Sequence, residues 1–461
     1  MLDTFLSLVY LLFSLSHPPA RLLSMPQQVR TAWTSTPGEL MVAWVTQYPV
    51  AGAHLQYSLS ACQDRDIHEE RRVHVEAVWK CVQKANKVEW QYLNQAIMGG
   101  LDPLCVYQYR VGSFLSMSPY FRISGLTPSA DTVDRKVTFA VIGDMGVGGN
   151  SSDVREHLHE LSVNRYIDAV LHVGDMAYSL NDKWKQTADR YFTEMEPIAA
   201  YVPYMVFPGN HERSENFTQY IQRFRMPWNE ASKDTNFFYS FNIGKAHIVM
   251  YNTEAYFAED QNMEATQYNW LVKDLRKANS ERREVPWVVV LGHKPYYCAV
   301  DWTRPMEKKN WESNYDCTTR AELLRKAVEE LFYAAGVDLY IAGHIHRYER
   351  SAAIYHNSTL PSQVDTLHYH FNPKAPVFIL EGSAGSRKVT STQGLDDLST
   401  TPQNWTRSAA FKYGLGTLEI CNATHLVWRQ FDSASREVLD QVVIEKSRTR
   451  YYPATSDLIG S

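Results

Sequence analysis

An α+β chain in two parts is predicted: a β-sandwich over residues 25–132, then a larger domain of strands and helices over residues 136–446. Three observations carry this reading. Up to Asp131 apolar and polar residues alternate without a helical period. Leu101, Pro103, Cys105 and Tyr107 lead into the alternating run Tyr107-x-Tyr109-Arg110-Val111, the spacing of a tyrosine corner in a β-sandwich. From Lys136 the chain changes to a succession of strand, loop, helix and strand.

Before the sandwich, Phe5 to Leu15 is an apolar run closed by Ser16, His17, Pro18 and Pro19, which predicts a signal peptide over residues 1–20. It is short of the ~20 apolar residues that a spanning helix needs. Asp3 stands where a basic residue is usual. ELMVAWVTQ and HLQYSLS read as sandwich strands, and the charged segment Gln63 to Arg72 as a solvated loop inserted among them.

In the larger domain KVTFAVIGD and YIDAVLHVGD are apolar enough to be buried on both faces. Asp153–Leu161 and Lys185–Ile198 are predicted helices, and FFYSFNIGKAHIVMYNTE a hairpin turning near Gly244. Ala265–Ala278 puts Tyr268, Leu271, Val272 and Leu275 on one helical face. VPWVVVLGH is a strand, Thr319–Ala335 an amphipathic helix and VDLYIAGH a strand. PVFILEGSAG and LGTLEICNATHLVWRQF close the domain as further strands. No internal repeat or low-complexity segment is present.

At 461 residues the chain suits two or three domains, and 44% hydrophobic with 21% charged residues is ordinary for a globular protein. A net charge of −5 without a basic block argues against a nucleic-acid or membrane-surface role, so neither a nucleic-acid partner nor a stable membrane anchor is expected. Asn150, Asn216, Asn357, Asn404 and Asn422 each head an Asn-x-Ser/Thr sequon. With the predicted signal they point to a secreted or lysosomal, N-glycosylated protein; a homodimer stays open. Six cysteines allow 15 disulfide connectivities. Cys298 and Cys317 bracket a polar, Trp-containing loop and are the expected pair; Cys62, Cys81, Cys105 and Cys421 are left unassigned.

Seven metal-ligand side chains follow five apolar runs: Asp144 in VIGDMG, Asp175 and Tyr178 in LHVGDMAY, Asn210 in FPGNHE, His293 in VVVLGHK, and His344 and His346 in LYIAGHIH. Singly, each has a plainer explanation. An Asp after Gly is commonly a turn former or helix cap, and Asn210 reads as a turn residue. Jointly they are hard to produce by chance, because a sheet delivers polar side chains to one edge where its strands end. Three anionic oxygens, one amide oxygen and three imidazoles there make two adjacent metal sites, and the phenolate favours a hard trivalent ion. His211 follows Asn210 and would contact a phosphate or protonate a leaving alkoxide. The competing role, orienting Asn210 through Glu212, is the less favoured.

The motifs GDMG, GDMAY, GNHE, GHKP and GHIHRYER resemble those of the metallophosphoesterase superfamily, and Tyr178 three residues after Asp175 resembles the purple acid phosphatase branch. The N-terminal sandwich is similar to the fibronectin-III-like domain of its large plant-type and animal long-form members, and CNATHLVWRQFDS to their C-terminal region. The resemblance implies an αββα four-layer metallophosphoesterase sandwich. It implies Fe(III) on Asp144, Asp175, Tyr178 and His346, and a divalent Zn, Mn or Fe(II) on Asp175, Asn210, His293 and His344. It implies a binuclear-metal acid phosphatase that hydrolyses small-molecule or protein phosphomonoesters by metal-hydroxide attack. A bound dication lowers the pKa of water to about 7 and a trivalent ion should lower it further, so activity below neutral pH is expected.

One departure stands out. Plant members carry histidines shortly after the GH motif, whereas this chain reads YYCAVDWTR, with Asp301 as the nearest acid and the candidate replacement. Glu349 and Arg350 fit the family pattern in indirect or structural roles. Two other readings compete: a phosphodiesterase or pyrophosphatase on nucleotides using the same metals, and a non-catalytic β-sandwich binding protein.

Overall fold

The computed structural model describes residues 24–63, 72–83, 90–129, 135–182, 186–258, 261–299, 316–360, 362–386 and 404–447. The predicted signal over 1–20, the body of the Gln63–Arg72 loop, the start of the helix predicted from Lys185, and Asp301 lie outside the described residues.

The first eight strands form a sandwich of two sheets. One sheet orders Gln27–Trp33, Leu40–Thr46, Trp90–Met98 and Val78–Gln83 side by side. The other orders Val73–Glu76, His54–Cys62, Cys105–Gly112 and Phe121–Ser124. In Cys105–Gly112 every second side chain turns into the core. Tyr107 follows the predicted corner: its hydroxyl accepts the Asp102 backbone N–H at 2.9 Å. A Cys62–Cys105 disulfide joins opposed residues of paired strands. The sandwich shares one continuous core with the rest of the chain. Trp33 is fully buried and meets the edges of Phe139 and Phe241 at 6.3 and 5.3 Å between ring centroids. Tyr109 donates its hydroxyl proton to the Ala200 carbonyl at 2.7 Å.

The larger domain contains β1 (Val137–Ile142), β2 (Ala169–His172), β3 (Tyr204–Val206), β4 (Tyr239–Ile243), β5 (Ala246–Tyr251), β6 (Trp287–Gly292), β7 (Leu339–Ala342), β8 (Tyr348–Tyr355), β9 (Val377–Glu381), β10 (Gly414–Ile420), β11 (His425–Asp432) and β12 (Val438–Glu445). Its long helices are α1 (Ser152–Val163), α2 (Thr187–Ala199), α3 (Gln261–Ser280) and α4 (Ala321–Ala334). One eight-stranded sheet runs β3-β2-β1-β10-β11-β12 and ends in Tyr369–Phe371 and Val364–Asp365. The other runs β4-β5-β6-β7-β9-β8 and ends in Ser358–Thr359. The two sheets and their flanking helices form the expected αββα arrangement.

The run β3-β2-β1 is parallel, as is β5-β6-β7-β9, and these strands are buried throughout. Parallel sheets require that double burial, and they gather the carboxyl ends of their strands along one rim. The two rims come close together, since a Cβ added at Gly143 would lie 3.4 Å from the Gly343 Cα. Cys298 and Cys317 form the expected disulfide, whereas Cys81 and Cys421 are free thiols. Among the described residues no helix is long and apolar enough to cross a membrane.

Candidate metal centre

Five strands, β1, β2, β3, β6 and β7, each run out into a glycine-containing turn that carries a predicted ligand. Asp144, Asp175, Tyr178 and His344 all sit in left-handed backbone, with φ between 50° and 73°. That conformation costs a side-chain-bearing residue of order 1–3 kcal/mol and concentrates at functional sites. The preceding glycines are there for space. A Cβ on Gly209 would lie 2.3 Å from Asp175 Oδ1, and one on Gly343 2.6 Å from Asp144 Oδ2.

The structure brings all seven residues together in two touching clusters. In the first, the Tyr178 hydroxyl lies 2.8 Å from both Asp144 Oδ1 and His346 Nε2, and His346 Nε2 lies 3.4 Å from Asp144 Oδ1. In the second, His293 Nε2 lies 3.3 Å from Asp175 Oδ2 and 3.2 Å from Asn210 Oδ1. One ligand atom from each of Asp175, His293 and His344 falls within 4.8 Å of the other two. The His344 backbone N–H donates to Asp144 Oδ2 at 2.7 Å and so links the clusters. His293 directs Nδ1 at the Val173 carbonyl, 2.8 Å away. That hydrogen bond selects the tautomer whose Nε2 carries the lone pair, as metal-ligating imidazoles do.

His211 makes its side-chain approach from outside. Its ring is 42% exposed, lies 4.4 Å from the Tyr178 ring, and has Nε2 3.8 Å from Asp175 Oδ2. Its backbone N–H donates to Asp175 Oδ1 at 2.8 Å. Glu212, by contrast, is fully buried: Oε2 accepts the N–H groups of Asp175 and Gly209, and Oε1 that of Met176, each at 2.9 Å. Glu212 therefore grips backbone on two ligand turns and makes no use of the His211 ring.

Three family descriptions match in order along the chain: the purple acid phosphatase N-terminal domain over residues 26–124, the calcineurin-like phosphoesterase over 137–348, and the iron/zinc purple acid phosphatase-like C-terminal part over 375–441. Acid phosphatase type 7 of Danio rerio is 31% identical over 92% of this chain and 92% of its own. Acid phosphatase type 7 of Homo sapiens is 32% identical over 90% of each chain. The chain belongs to the purple acid phosphatase family. A solved purple acid phosphatase from yellow lupin (Lupinus luteus) seeds shares its fold, with a TM-score of 0.73 over 92% of this chain and 75% of that one at 19% identity.

The residues of this purple acid phosphatase fit cations. Asp175 Oδ2 is buried without a hydrogen-bond partner among the described residues, an arrangement that is costly unless a positive charge faces it. Burial would push the Asp175 carboxyl up, but the charge of His293, with the charge and backbone N–H of His211, reverses this and holds it well below the usual carboxylate range. Burial would likewise push His293 down, and Asp175 raises it instead to about 9. The Asp175 carboxylate thus favours positive charge beside it, supplied without metal by a proton on His293 that a bound cation would displace, leaving Nε2 its lone pair. Burial, with the charges of Asp144 and Asp175, pushes the Tyr178 phenol well above its ordinary range. A phenolate beside two carboxylates needs a strongly charged cation to form.

Further residues, inside and outside the sequence motifs, complete the surroundings. Lys294 is buried against Glu254 at 2.7 Å and donates to Asn210 Oδ1 at 3.2 Å, which orients that amide. Asp316 Oδ2 lies 3.0 Å from His344 Nε2. Burial would raise the Asp316 carboxyl, but His344 and Arg320 outweigh it and hold it below the usual range. Glu349 accepts the Ala299 N–H at 2.9 Å and pairs with Arg347, whereas Arg350 is buried against Asp440.

Proposed function

We propose that this protein is a binuclear acid phosphatase acting on phosphate monoesters below neutral pH. The reading assigns Fe(III) to Asp144, Tyr178 and His346, a divalent Zn, Mn or Fe(II) to Asn210, His293 and His344, and the bridging position to Asp175. The observation that carries it is the Tyr178 hydroxyl at 2.8 Å from both Asp144 and His346, a phenol oxygen within a set of hard ligands. When bound, the two cations would supply the Lewis acidity that activates water at low pH and neutralises charge on the phosphoryl group.

The chain's own groups supply position and protons. Glu212 fixes the turns bearing Asp175 and Asn210, and Lys294 orients the Asn210 amide. His211 is the exposed titratable side chain beside the cluster, placed to contact a phosphate or to hand a proton to the leaving oxygen. Asp301 keeps the role of second candidate acid on sequence grounds alone. The five sequon asparagines are all exposed, which supports N-glycosylation on a secretory or lysosomal route.

The test is turnover of p-nitrophenyl phosphate against bis-p-nitrophenyl phosphate across pH, on protein made through the secretory pathway. Monoester turnover that is faster than diester turnover and greatest below neutral pH is expected. Preference for the diester, or a rate that climbs steadily into the alkaline range, would overturn the proposal.

A further inference from the structure

Asp316 lies in no metal-binding motif, yet it reaches the metal centre. Its carboxylate is buried, with Oδ2 at an ion-pair distance of 3.0 Å from His344 Nε2, which is not aligned there as a hydrogen-bond donor, and with Oδ1 accepting from Arg320 at 2.7 Å. An imidazole that presents one nitrogen to a carboxylate keeps its proton there and carries its lone pair on the other. For His344 the other nitrogen is Nδ1.

Its place is fixed from the side of Cys317 as well. Cys317 is bonded to Cys298, five residues beyond His293. Next to Cys298, Ala299 is held at both backbone groups: its N–H donates to Glu349 Oε2 at 2.9 Å, and its carbonyl accepts from Arg347 at 2.7 Å. Arg347 and Glu349 are buried and paired with each other, and they stand one and three residues after His346 on the chain. Connections therefore run from the turn bearing His346, through Arg347 and Glu349, to Ala299, across the disulfide to Asp316, and back to His344. A loop whose end is located from so many directions presents its carboxylate at a defined point.

We propose that Asp316 is a positioning residue for the divalent site, holding His344 with Nδ1 turned to the ion, and that the Cys298–Cys317 disulfide sets Asp316 in place. This rests on the reading that Asp175, Asn210, His293 and His344 hold a divalent cation. Such outer partners of a ligating histidine are worth about 10–100-fold in metal affinity. The first cluster makes no use of Asp316, so the effect is confined to one of the two metals.

The experiment compares full-length wild type with Asp316→Asn, Asp316→Ala and the double variant Cys298→Ala/Cys317→Ala. Iron and divalent metal are measured by elemental analysis during dialysis against graded chelator, and the visible absorption from Tyr178 and iron is followed in the same samples. Asp316→Asn keeps the side-chain shape and so guards against a folding failure. Expected is an affinity for the divalent ion lower by about 10–100-fold in Asp316→Ala, a smaller loss in Asp316→Asn, and a loss in the cysteine variant, all with iron and colour retained. Divalent metal held by Asp316→Ala as firmly as by wild type would overturn the proposal alone. Loss of iron in step with the divalent ion would also overturn it, by making Asp316 a general structural residue. Wild type that binds a single ion would overturn the reading beneath and the proposal with it.

Discussion

Glu212 Oε2 accepts the backbone N–H of Asp175 at 2.9 Å, and the same oxygen accepts that of Gly209. The turns that carry Asp175 and Asn210 are thereby joined, although the two candidate ligands lie 35 positions apart in the chain. Replacing Glu212 with Gln sets an amide –NH₂ against backbone donors. The variant should lose about 1–3 kcal/mol of stability, as a buried group left without its partner does. Urea unfolding of the metal-free protein checks it, and an unchanged midpoint would show that the clamp does not matter.

At Gly209 and Gly343 a carboxylate of the centre fills the place of a Cβ. Gly343→Ala would place a methyl carbon 2.6 Å from Asp144 Oδ2. The strand leading to it can still form, so the variant should fold yet hold the metal of the first cluster at least about 10-fold more weakly, the scale on which misplaced ligand surroundings act. Iron content after dialysis, with circular dichroism as the control for folding, is the measurement.

His211 is separable from the candidate metal ligands because its ring is exposed and lies beside the clusters. His211→Ala should lower kcat by about 10²-fold or more, in the range for loss of a general acid or a phosphate contact, while metal content stays constant. A kcat within a few-fold of wild type would return the residue to a structural role.

Much of this was readable in the sequence, for a definable reason. A candidate ligand at the end of a buried parallel strand is announced by the apolar run before it and the glycine beside it, and the recurrence of that pattern makes Asp144, Asp175, Asn210, His293 and His344 visible as a set, where each alone reads as an ordinary turn residue. The tyrosine corner at Tyr107 and the Cys298–Cys317 pair are visible in the same way, by local spacing. Asp316 and Glu254 act through contacts with residues brought near only by folding, and nothing in their immediate neighbours marks them; Lys294 stands inside the GHKP motif, but its partners Glu254 and Asn210 are distant in the chain. Glu212 lies inside a motif, but its target is backbone, which carries no sequence signature. Cys62 and Cys105 pair across neighbouring strands whose register the sequence leaves open.

Acid sets a limit on this fold. Burial and the nearby Arg436 charge lower His157 from 6.5 to about 4. The imidazole is neutral in the folded protein and must take up a proton as the chain unfolds in acid. The stability this neutral form supports is complete above pH 6.5 and is lost as pH falls toward about 4. His157→Gln removes that proton uptake and should reduce the fall in Tm across this window relative to wild type. An identical fall in both proteins would contradict the assignment.

The account stands on Tyr178 as a ligand to ferric iron, and metal analysis with a visible spectrum of wild type and Tyr178→Phe tests it most directly. Two metal ions per chain, one of them iron, with a purple or pink colour that Tyr178→Phe abolishes, is the predicted result. Colour that survives Tyr178→Phe, or purified wild type that takes up no iron, would contradict it.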